Sequence, residues 1–286
     1  MEEIKKIILL GAGGFLGSKL FSVLKKEFDV VPYYFKKSPS LDVTNRDDVF
    51  EKLRDADIVI NASGLTNVDL CETDKKLAYS VNVEGTRNIA TACKKNRIKL
   101  LHYSTDAVFK GDKGDYVETD ETGPVNYYAK TKLLAEEIIQ KLDDYMIMRV
   151  AILYGYNGNG TERSFVIWVI NSLKQGKAIR VVSDQIGTPT LIDDIAEATG
   201  KLIEKNTKGI YHVSGSQKLS RLDMAKIIAN EFGFDKKLIT PIKNDDLQLA
   251  APRPLDTSLN IQKLLKSGIT MHTFEEGIKI MRGMMK

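Results

Sequence analysis

Short apolar runs recur along the first half of the chain, and each precedes a segment whose apolar positions repeat at helical spacing. The first run is 7–10, and Leu16, Leu20 and Leu24 follow it on one helix face. Continuous apolar runs are typical of strands buried on both faces of a parallel sheet. Further strands are predicted at 28–35, 57–62, 98–104, 145–153, 179–182 and 209–214.

Helices are predicted at 45–53, 74–95, 127–141, 164–174, 192–204 and 222–232. Strands that alternate with helices in this way predict an α/β fold, a doubly wound parallel (Rossmann) sheet with right-handed crossovers. After Tyr154 the alternation weakens, beginning with a loop at 155–160 and ending in two short helices. We therefore predict a smaller, interleaved C-terminal substrate-binding lobe. The predicted boundaries are 1–154 for the dinucleotide-binding domain, completed by parts of 179–214, and 155–178 with 215–286 for the lobe.

The turn after the first strand has the spacing Gly11-x-x-Gly14-x-x-Gly17, with Gly13 as an extra glycine. In dinucleotide-binding folds such glycines permit the tight turn, the close approach of a diphosphate and the packing of helix on strand. The helix that opens at Phe15 and Leu16 would present its N–H groups to an anion. No Gly-Lys-Ser/Thr follows, so the turn is not a P-loop.

The end of the second strand indicates which dinucleotide binds. An acidic residue there would accept hydrogen bonds from a free ribose 2′-hydroxyl, whereas basic residues suit a 2′-phosphate. The strand runs into Lys36 and Lys37, and the next acid is Asp42. This favours NADP, with NAD left open. After the third strand, the small residues Ser63 and Gly64 allow the backbone to approach the same cofactor.

Tyr128 and Lys132 lie four residues apart on a predicted helix and therefore share a face. An ammonium group beside a phenol is expected to lower the tyrosine pKa toward the working pH, as a general acid/base requires. Thr105 follows the strand 98–104, where its hydroxyl would reach the crevice in which such sheets bind ligands. Together these residues predict interconversion of a carbonyl and an alcohol.

Composition excludes several classes of protein. Hydrophobic residues make up 43% and charged residues 28% of the 286, and the net charge of +4 is spread along the chain, which excludes a nucleic-acid binder. No apolar run is long enough for a membrane span or a signal peptide, so we expect a cytoplasmic protein. Two cysteines and three scattered histidines give no metal site. Trp168 is expected to be a packing residue, and Glu136 to lie on a solvated helix face.

The chain resembles the extended short-chain dehydrogenase/reductase superfamily and, within it, the dTDP-4-dehydrorhamnose reductase family. The resemblance covers nearly the whole chain. It rests on the glycine turn and on motifs at 41–44, 61–69, 78–82, 104–109, 126–132, 183–190, 253–254 and 258–259. The Gln-x-Gly-x-Pro-Thr piece at 185–190 and the Arg-Pro pair are more specific to the reductases than Tyr-x-x-x-Lys is.

This resemblance implies NADPH-dependent reduction of a 4-keto nucleotide sugar. Tyr128 would protonate the developing alkoxide, Lys132 would hold the nicotinamide ribose, and Thr105 would hydrogen-bond the carbonyl oxygen. The implied cofactor residues are Gly11, Gly13, Gly14, Phe15, Leu16, Gly17, Lys36, Asp42, Val43, Ala62, Ser63, Gly64, Asn82, Tyr128 and Lys132. The implied substrate residues are Thr66, Asn67, Asp106 and Arg253, the arginine as a candidate for the substrate diphosphate. No metal is implied, and a homodimer is common for such folds.

Two departures from the family pattern leave alternatives open. Ala107 stands where these reductases carry tyrosine, and Ile152 stands where they carry tryptophan, so aromatic surface near the sugar is lost. An NADP-binding regulatory subunit, similar to the methionine adenosyltransferase β subunit, would tolerate that loss. A nucleotide-sugar epimerase is a further alternative. A 4,6-dehydratase is disfavoured because the glutamate that follows Thr-Asp in those enzymes is absent.

Overall fold

The computed structural model describes residues 5–158 and 164–285, so residues 159 and 160 of the predicted loop lie outside the described residues. Six parallel strands form the central sheet, in the order β10-β5-β4-β3-β1-β2. Their bounds are β1 (Lys6–Leu10), β2 (Asp29–Tyr33), β3 (Ile58–Asn61), β4 (Lys99–Thr105), β5 (Tyr145–Val150) and β10 (Gly209–His212). The prediction of a doubly wound parallel sheet is confirmed.

Helices cover both faces of this sheet because its strands are apolar on both sides. On one face, α1 (Phe15–Leu24) packs against α8 (Ile192–Glu204) over Ile7 and Leu9. On the other, Ile8 and Leu10 pack against the helices that follow β2, β3 and β4. The helices in this cluster are α2 (Arg46–Leu53), α5 (Gly85–Asn96) and α6 (Tyr127–Ile139), and the chain between β3 and α5 forms α3 (Val68–Thr73) and α4 (Lys75–Tyr79).

The predicted helix 74–95 is interrupted. Asp74 ends α3 and caps α4, and a π-helical turn (Ser80–Glu84) joins α4 to α5. The segment α3 was not predicted; Asn67 begins it by accepting a hydrogen bond from the Leu70 N–H at 3.0 Å. Short polar side chains favour such caps because they satisfy N–H groups that have no partner within the helix.

A second apolar cluster lies in the C-terminal part of the chain, where α7 (Phe165–Lys174), α9 (Arg221–Phe232) and α11 (Phe274–Met284) pack together. Beside them, β7 (Ile179–Val182) pairs in parallel with β12 (Ile239–Ile242), a strand that the pattern did not predict. The remaining strands and α-helix are β6 (Leu153–Tyr154), β8 (Ile186–Gly187), β9 (Thr190–Leu191), β11 (Leu219–Ser220) and α10 (Gln262–Lys266). The division into two lobes stays a prediction.

The predicted strand 145–153 breaks after Val150. Ile152 adopts a left-handed backbone conformation, with φ of 44°, between β5 and β6. That conformation is unfavourable for a β-branched residue and persists only where the surroundings impose it. The break turns the chain at the carboxyl edge of the sheet, where Ile152 lines the cavities described below.

Candidate active site

The turn between β1 and α1 requires its glycines. Gly11 has φ of 79°, and a Cβ there would lie 2.7 Å from the Ala62 carbonyl group. A Cβ at Gly17 would lie 2.1 Å from the Gly11 carbonyl oxygen, so the helix packs against the turn only without a side chain. Gly14 begins α1 without a side-chain cap and no acid follows in the first turn, whereas Asn45 caps α2 and Asn126 caps α6. The N-terminus of α1 is therefore free to bind an anion.

A cavity of about 610 Å³ opens in front of this turn. The ends of β1 and β3 border it, at the point where the strand order reverses, which is where such sheets bind ligands. Lys36 and Lys37 lie at its rim, beside Asp42 and Val43. Its predicted cofactor residues are Gly11, Gly13, Gly14, Lys36, Asp42, Val43, Ala62, Ser63 and Gly64.

A second cavity, of about 460 Å³, adjoins the first and shares Gly14 and residues 62–65 with it. Phe15, Leu16 and Gly17 line it on one side. Thr105, Asp106, Tyr128 and Lys132 line it on the other. A single groove thus connects the lysines after β2 to the predicted catalytic residues. The groove has glycines where a diphosphate must approach, an uncapped helix N-terminus and a basic rim. These features fit the phosphates of a dinucleotide.

The start of α6 fixes Tyr128 and Lys132. Asn126 caps the helix by accepting a hydrogen bond from the Ala129 N–H at 2.9 Å, and Glu72 accepts one from the Tyr127 N–H at 2.8 Å. The Lys132 side chain is buried and donates to the Tyr103 carbonyl oxygen at 2.7 Å. Tyr103 belongs to β4, so this contact ties the helix to the strand that ends in Thr105.

The expectation of a lowered tyrosine pKa was wrong for the protein without ligands. Burial raises the pKa of Tyr128 above its ordinary value of 10.0, and the neighbouring Thr105 hydroxyl opposes that effect only in part. Lys132 does not offset the burial because its Nζ is directed to the Tyr103 carbonyl oxygen and to His102. A phenol in this setting stays protonated at neutral pH and can act as an acid.

Burial also lowers the pKa of Lys132, to about 8, with the Glu136 carboxylate opposing the shift. The expectation that Glu136 lies on a solvated face was wrong, because its side chain is fully buried. It forms an ion pair with the Arg149 guanidinium, 2.7 Å between Nη2 and Oε2, and accepts a 2.5 Å hydrogen bond from the Ser104 hydroxyl. The carboxylate is thus paired with Arg149 inside the protein.

Two buried polar residues beside Lys132 were not expected from the sequence. His102, which was interpreted as an ordinary core or surface histidine, places Nε2 3.0 Å from Lys132 Nζ. Its Nδ1 lies 3.1 Å from the amide nitrogen of Asn61. Asn61, the last residue of β3, and His102, in the middle of β4, are register partners. Two polar residues within the apolar runs of neighbouring strands were the available signal.

The residues predicted to bind substrate fall into two groups. Thr66 and Asp106 line the second cavity, and the Asp106 carboxylate accepts hydrogen bonds from the Thr105 and Thr257 hydroxyls. Asn67 and Arg253 line neither this cavity nor the first one. Arg253 instead pairs with Asp69, Nη2 to Oδ2 at 2.7 Å. Its role, and that of Asn67, stay predictions.

Asn82, predicted to bind the cofactor, lies behind the groove. Its Oδ1 accepts from the Leu65 N–H at 2.8 Å, and its Nδ2 donates to the Leu65 carbonyl oxygen at 3.1 Å. Nδ2 also donates to the Thr131 hydroxyl on α6 at 3.0 Å. Asn82 therefore shapes the loop after β3, and a direct contact with the cofactor stays a prediction.

A third cavity, of about 640 Å³, continues from the catalytic one through Thr66, Ile152, Leu153 and Ser164. Two arginines, Arg180 and Arg221, line it together with Gln185 and Trp168. Trp168 is 44% exposed, so the expectation that it is a packing residue was wrong. A cavity that combines two guanidinium groups with an aromatic surface suits an anion attached to a planar ring.

The described residues contain no cluster of three or more potential metal ligands. Over the same part of the chain, no helix is both long and apolar enough to cross a lipid bilayer.

The glycine turn, the groove and the Thr105–Tyr128–Lys132 cluster define a dinucleotide-dependent oxidoreductase of the short-chain dehydrogenase/reductase class. The family described as "RmlD substrate binding domain" matches residues 5–285, and the chain belongs to that family.

Curated relatives match over almost their whole length. The chain is 32% identical to a dTDP-4-dehydrorhamnose reductase of Mycobacterium tuberculosis over 275 residues, which cover 93% of this chain and 88% of the relative. It is 30% identical to the "probable low-salt glycan biosynthesis reductase Agl14" of Haloferax volcanii, over 94% of both chains.

A solved structure also matches nearly the whole chain. The crystal structure of dTDP-4-dehydrorhamnose reductase (RfbD) from Bacillus anthracis in complex with NADP superposes with a TM-score of 0.91 at 32% identity. That match covers 99% of this chain and 100% of the other.

Proposed function

We propose that this protein reduces the 4-keto group of a nucleotide-activated deoxysugar with NADPH, and that its substrate is dTDP-4-dehydrorhamnose and its product dTDP-L-rhamnose. The observation that carries the proposal is the groove itself. It has Lys36 and Lys37 at one end and the Thr105–Tyr128–Lys132 cluster at the other. The names of the relatives and the NADP in the Bacillus anthracis structure support the substrate and the cofactor.

NADPH, when bound, supplies the hydride that adds to C4 of the sugar. The oxygen on that carbon gains negative charge as the hydride arrives, and Tyr128 donates its phenolic proton to it. Burial keeps that phenol protonated until the charge develops, because it disfavours the phenolate. Lys132 lies one helical turn away on the same face, and in its charged form it stabilises the phenolate left behind.

Thr105 acts on the same oxygen. Its hydroxyl donates to the Asp106 carboxylate at 3.0 Å in this structure and accepts from the Ala107 N–H at 3.2 Å. Rotation about one bond directs the hydroxyl proton into the cavity, toward the oxygen that becomes negative. A hydroxyl donor at that point stabilises the charge as it develops.

The third cavity supplies a place for the nucleotide half of the substrate. Arg180 and Arg221 would bind the diphosphate, which guanidinium groups can bind bidentately. Trp168 and Phe165, whose ring centroids lie 5.8 Å apart, would contact the base. The sugar would then lie at Ile152 and Thr66, which border both this cavity and the catalytic one.

The test is an assay of NADPH consumption with dTDP-4-dehydrorhamnose, run on the wild type and on Tyr128→Phe. The wild type is expected to turn over, and the variant to lose on the order of 10²–10⁴-fold in kcat/KM, the usual contribution of a positioned acid. NADPH affinity, measured by quenching of protein fluorescence, should change little. A wild type that binds NADPH tightly but reduces no keto sugar would contradict the proposal and favour a regulatory subunit. A homodimer remains an expectation.

A further inference from the structure

A buried chain of hydrogen bonds connects the backbone after β3 to the active-site lysine. The Ser63 N–H donates to Asn61 Oδ1 at 3.1 Å, and the Ser63 hydroxyl donates to the same oxygen at 2.6 Å. Asn61 Nδ2 lies 3.1 Å from His102 Nδ1, and His102 Nε2 lies 3.0 Å from Lys132 Nζ. Asn61, His102 and Lys132 are each less than 10% exposed, at 2%, 1% and 7%.

The backbone of Ser63 fixes the direction of this chain. A backbone N–H can only donate, so the atom of Asn61 that faces it must be the amide oxygen. The amino group of Asn61 therefore faces His102 Nδ1 and donates to it. A neutral imidazole carries one proton on its two nitrogens, so an accepting Nδ1 places the proton on Nε2.

The proton on Nε2 then points at Lys132. An ammonium group has three donors and no acceptor, so two donors would oppose each other across 3.0 Å. An uncharged amine has a lone pair and accepts the proton from Nε2, while it still donates to the Tyr103 carbonyl oxygen. The hydrogen-bond pattern is complete only with the uncharged amine.

The charged groups around Lys132 are consistent with an uncharged amine, because they have other partners. On its own helix, Glu136 is bound by Arg149 of β5 and by Ser104 of β4, and Tyr128 is a neutral phenol. Asp106, at the end of β4, accepts from the Thr105 and Thr257 hydroxyls. Burial holds the pKa of His102 well below its ordinary value of 6.5, so the imidazole is neutral.

We infer that Asn61 and His102 are positioning residues that favour the uncharged amine of Lys132 in the ligand-free protein, with the imidazole proton on His102 Nε2. The tautomer belongs to the free protein and is independent of the substrate. Its consequence for turnover rests on the proposed function: Asn61 and His102, as well as burial, then set the pH at which Lys132 becomes charged.

The tautomer can be read directly from nitrogen NMR of the ligand-free protein labelled with ¹⁵N-histidine. The chain has three histidines, and single substitutions assign the signals. His212 Nδ1 faces the Asn260 carbonyl oxygen and His272 Nδ1 faces Asp194, so both carry a proton on Nδ1. His102 is expected to be the one histidine with a bare Nδ1 and a protonated Nε2. A proton on His102 Nδ1 at neutral pH would overturn the inference.

The variant Asn61→Asp should reverse the donor and acceptor roles along this chain of hydrogen bonds, with almost no change in side-chain shape. A carboxylate still accepts from the Ser63 N–H, and its second oxygen accepts from His102 Nδ1–H, so Nε2 becomes an acceptor that favours the ammonium form. We expect the inverted tautomer and a rise in the Lys132 pKa by at least about one unit, measured from the ¹³Cε shift of labelled lysine. An unchanged tautomer in the folded variant would refute the role of Asn61.

The added negative charge would itself raise the Lys132 pKa, so the same substitution is repeated in a His102→Phe background. Phenylalanine has no tautomers, so in this background the shift in the Lys132 pKa measures only the electrostatic effect of the added carboxylate. We expect that shift to be less than half of the one in the His102 protein. Equal shifts of the Lys132 pKa in both backgrounds would show that His102 does not influence the charge of Lys132, and would overturn the inference. These measurements use no substrate, so their failure is distinct from failure of the proposed reductase activity.

Discussion

Lys132 donates a 2.7 Å hydrogen bond to the carbonyl oxygen of Tyr103, two residues before Thr105 on the same strand. This contact, between α6 and β4, holds the three predicted catalytic residues in one place. The lysine therefore has a structural role as well as an electrostatic one. Substitutions at Lys132 are expected to affect both the geometry of the site and its charge.

The substitution Lys132→Met tests that double role. Methionine keeps the unbranched apolar stem but loses both the charge and the bond to β4. We expect kcat/KM to fall by on the order of 10²-fold or more and NADPH to bind more weakly. Lys132→Arg is the matched control, because it keeps a charge but not the compact shape that fits between Tyr103 and His102. If Lys132→Met kept wild-type turnover, the assignment of Lys132 to the catalytic cluster would be wrong.

The lysines at the end of β2 should determine the choice between NADPH and NADH. A charged hydrogen bond to a 2′-phosphate contributes about 1.5–3 kcal/mol, so Lys36→Ala is expected to raise the KM for NADPH by about ten- to hundredfold. The KM for NADH should stay nearly constant, because its ribose carries no phosphate. Lys25→Ala, at the exposed end of α1 and outside the cavity, serves as the control. An equal rise in KM for both cofactors would show that Lys36 does not recognise the 2′-phosphate.

The buried pair of Glu136 and Arg149 should contribute strongly to stability when only one partner is removed. Glu136→Leu would leave the Arg149 guanidinium charged and 3% exposed, at a cost of about 3–5 kcal/mol in the free energy of unfolding. The control is Glu84→Ala, which breaks a pair with Arg87 that is nearly half exposed on both sides. That loss should be about 0.5 kcal/mol or less, measured by urea unfolding. Similar losses for the two variants would contradict the account.

The contact of His272 with Asp194 should make stability depend on pH. Nδ1 of His272 lies 2.7 Å from Asp194 Oδ1, and this hydrogen bond raises the pKa of His272 above its ordinary value of 6.5. A raised folded-state pKa means that the stabilisation is complete below 6.5 and is lost as the pH rises through the folded value. The difference in Tm between the wild type and His272→Asn should therefore shrink from about pH 6 to about pH 9. A constant difference would show that the pair is not charged.

Local signals predicted most of the sheet and much of the site. The glycine turn and the spacing of Tyr128 and Lys132 each depend on a few neighbouring residues, and the structure places them along one groove. Helix 192–204 begins and ends where its apolar periodicity does. Such features are encoded within a single element and its caps, so no knowledge of distant contacts is needed.

The features that sequence missed depend on residues far apart in the chain. Asn61 and His102 meet Lys132 only because β3, β4 and α6 pack side by side. From the sequence alone Glu136 resembles a solvated helix residue, because its partner Arg149 lies on the next strand. The pKa of Tyr128 was predicted from its helix neighbour alone, whereas its burial by the surrounding elements has the larger effect.

The most direct test of the central claim follows the hydride. NADPH that carries deuterium at both C4 positions of the nicotinamide is incubated with the protein and dTDP-4-dehydrorhamnose, and the product is analysed by NMR and mass spectrometry. The account predicts one deuterium at C4 of dTDP-L-rhamnose, formed at a rate that collapses in Tyr128→Phe. A product without deuterium, or one labelled at another carbon, would contradict the assignment of this site as a 4-keto sugar reductase.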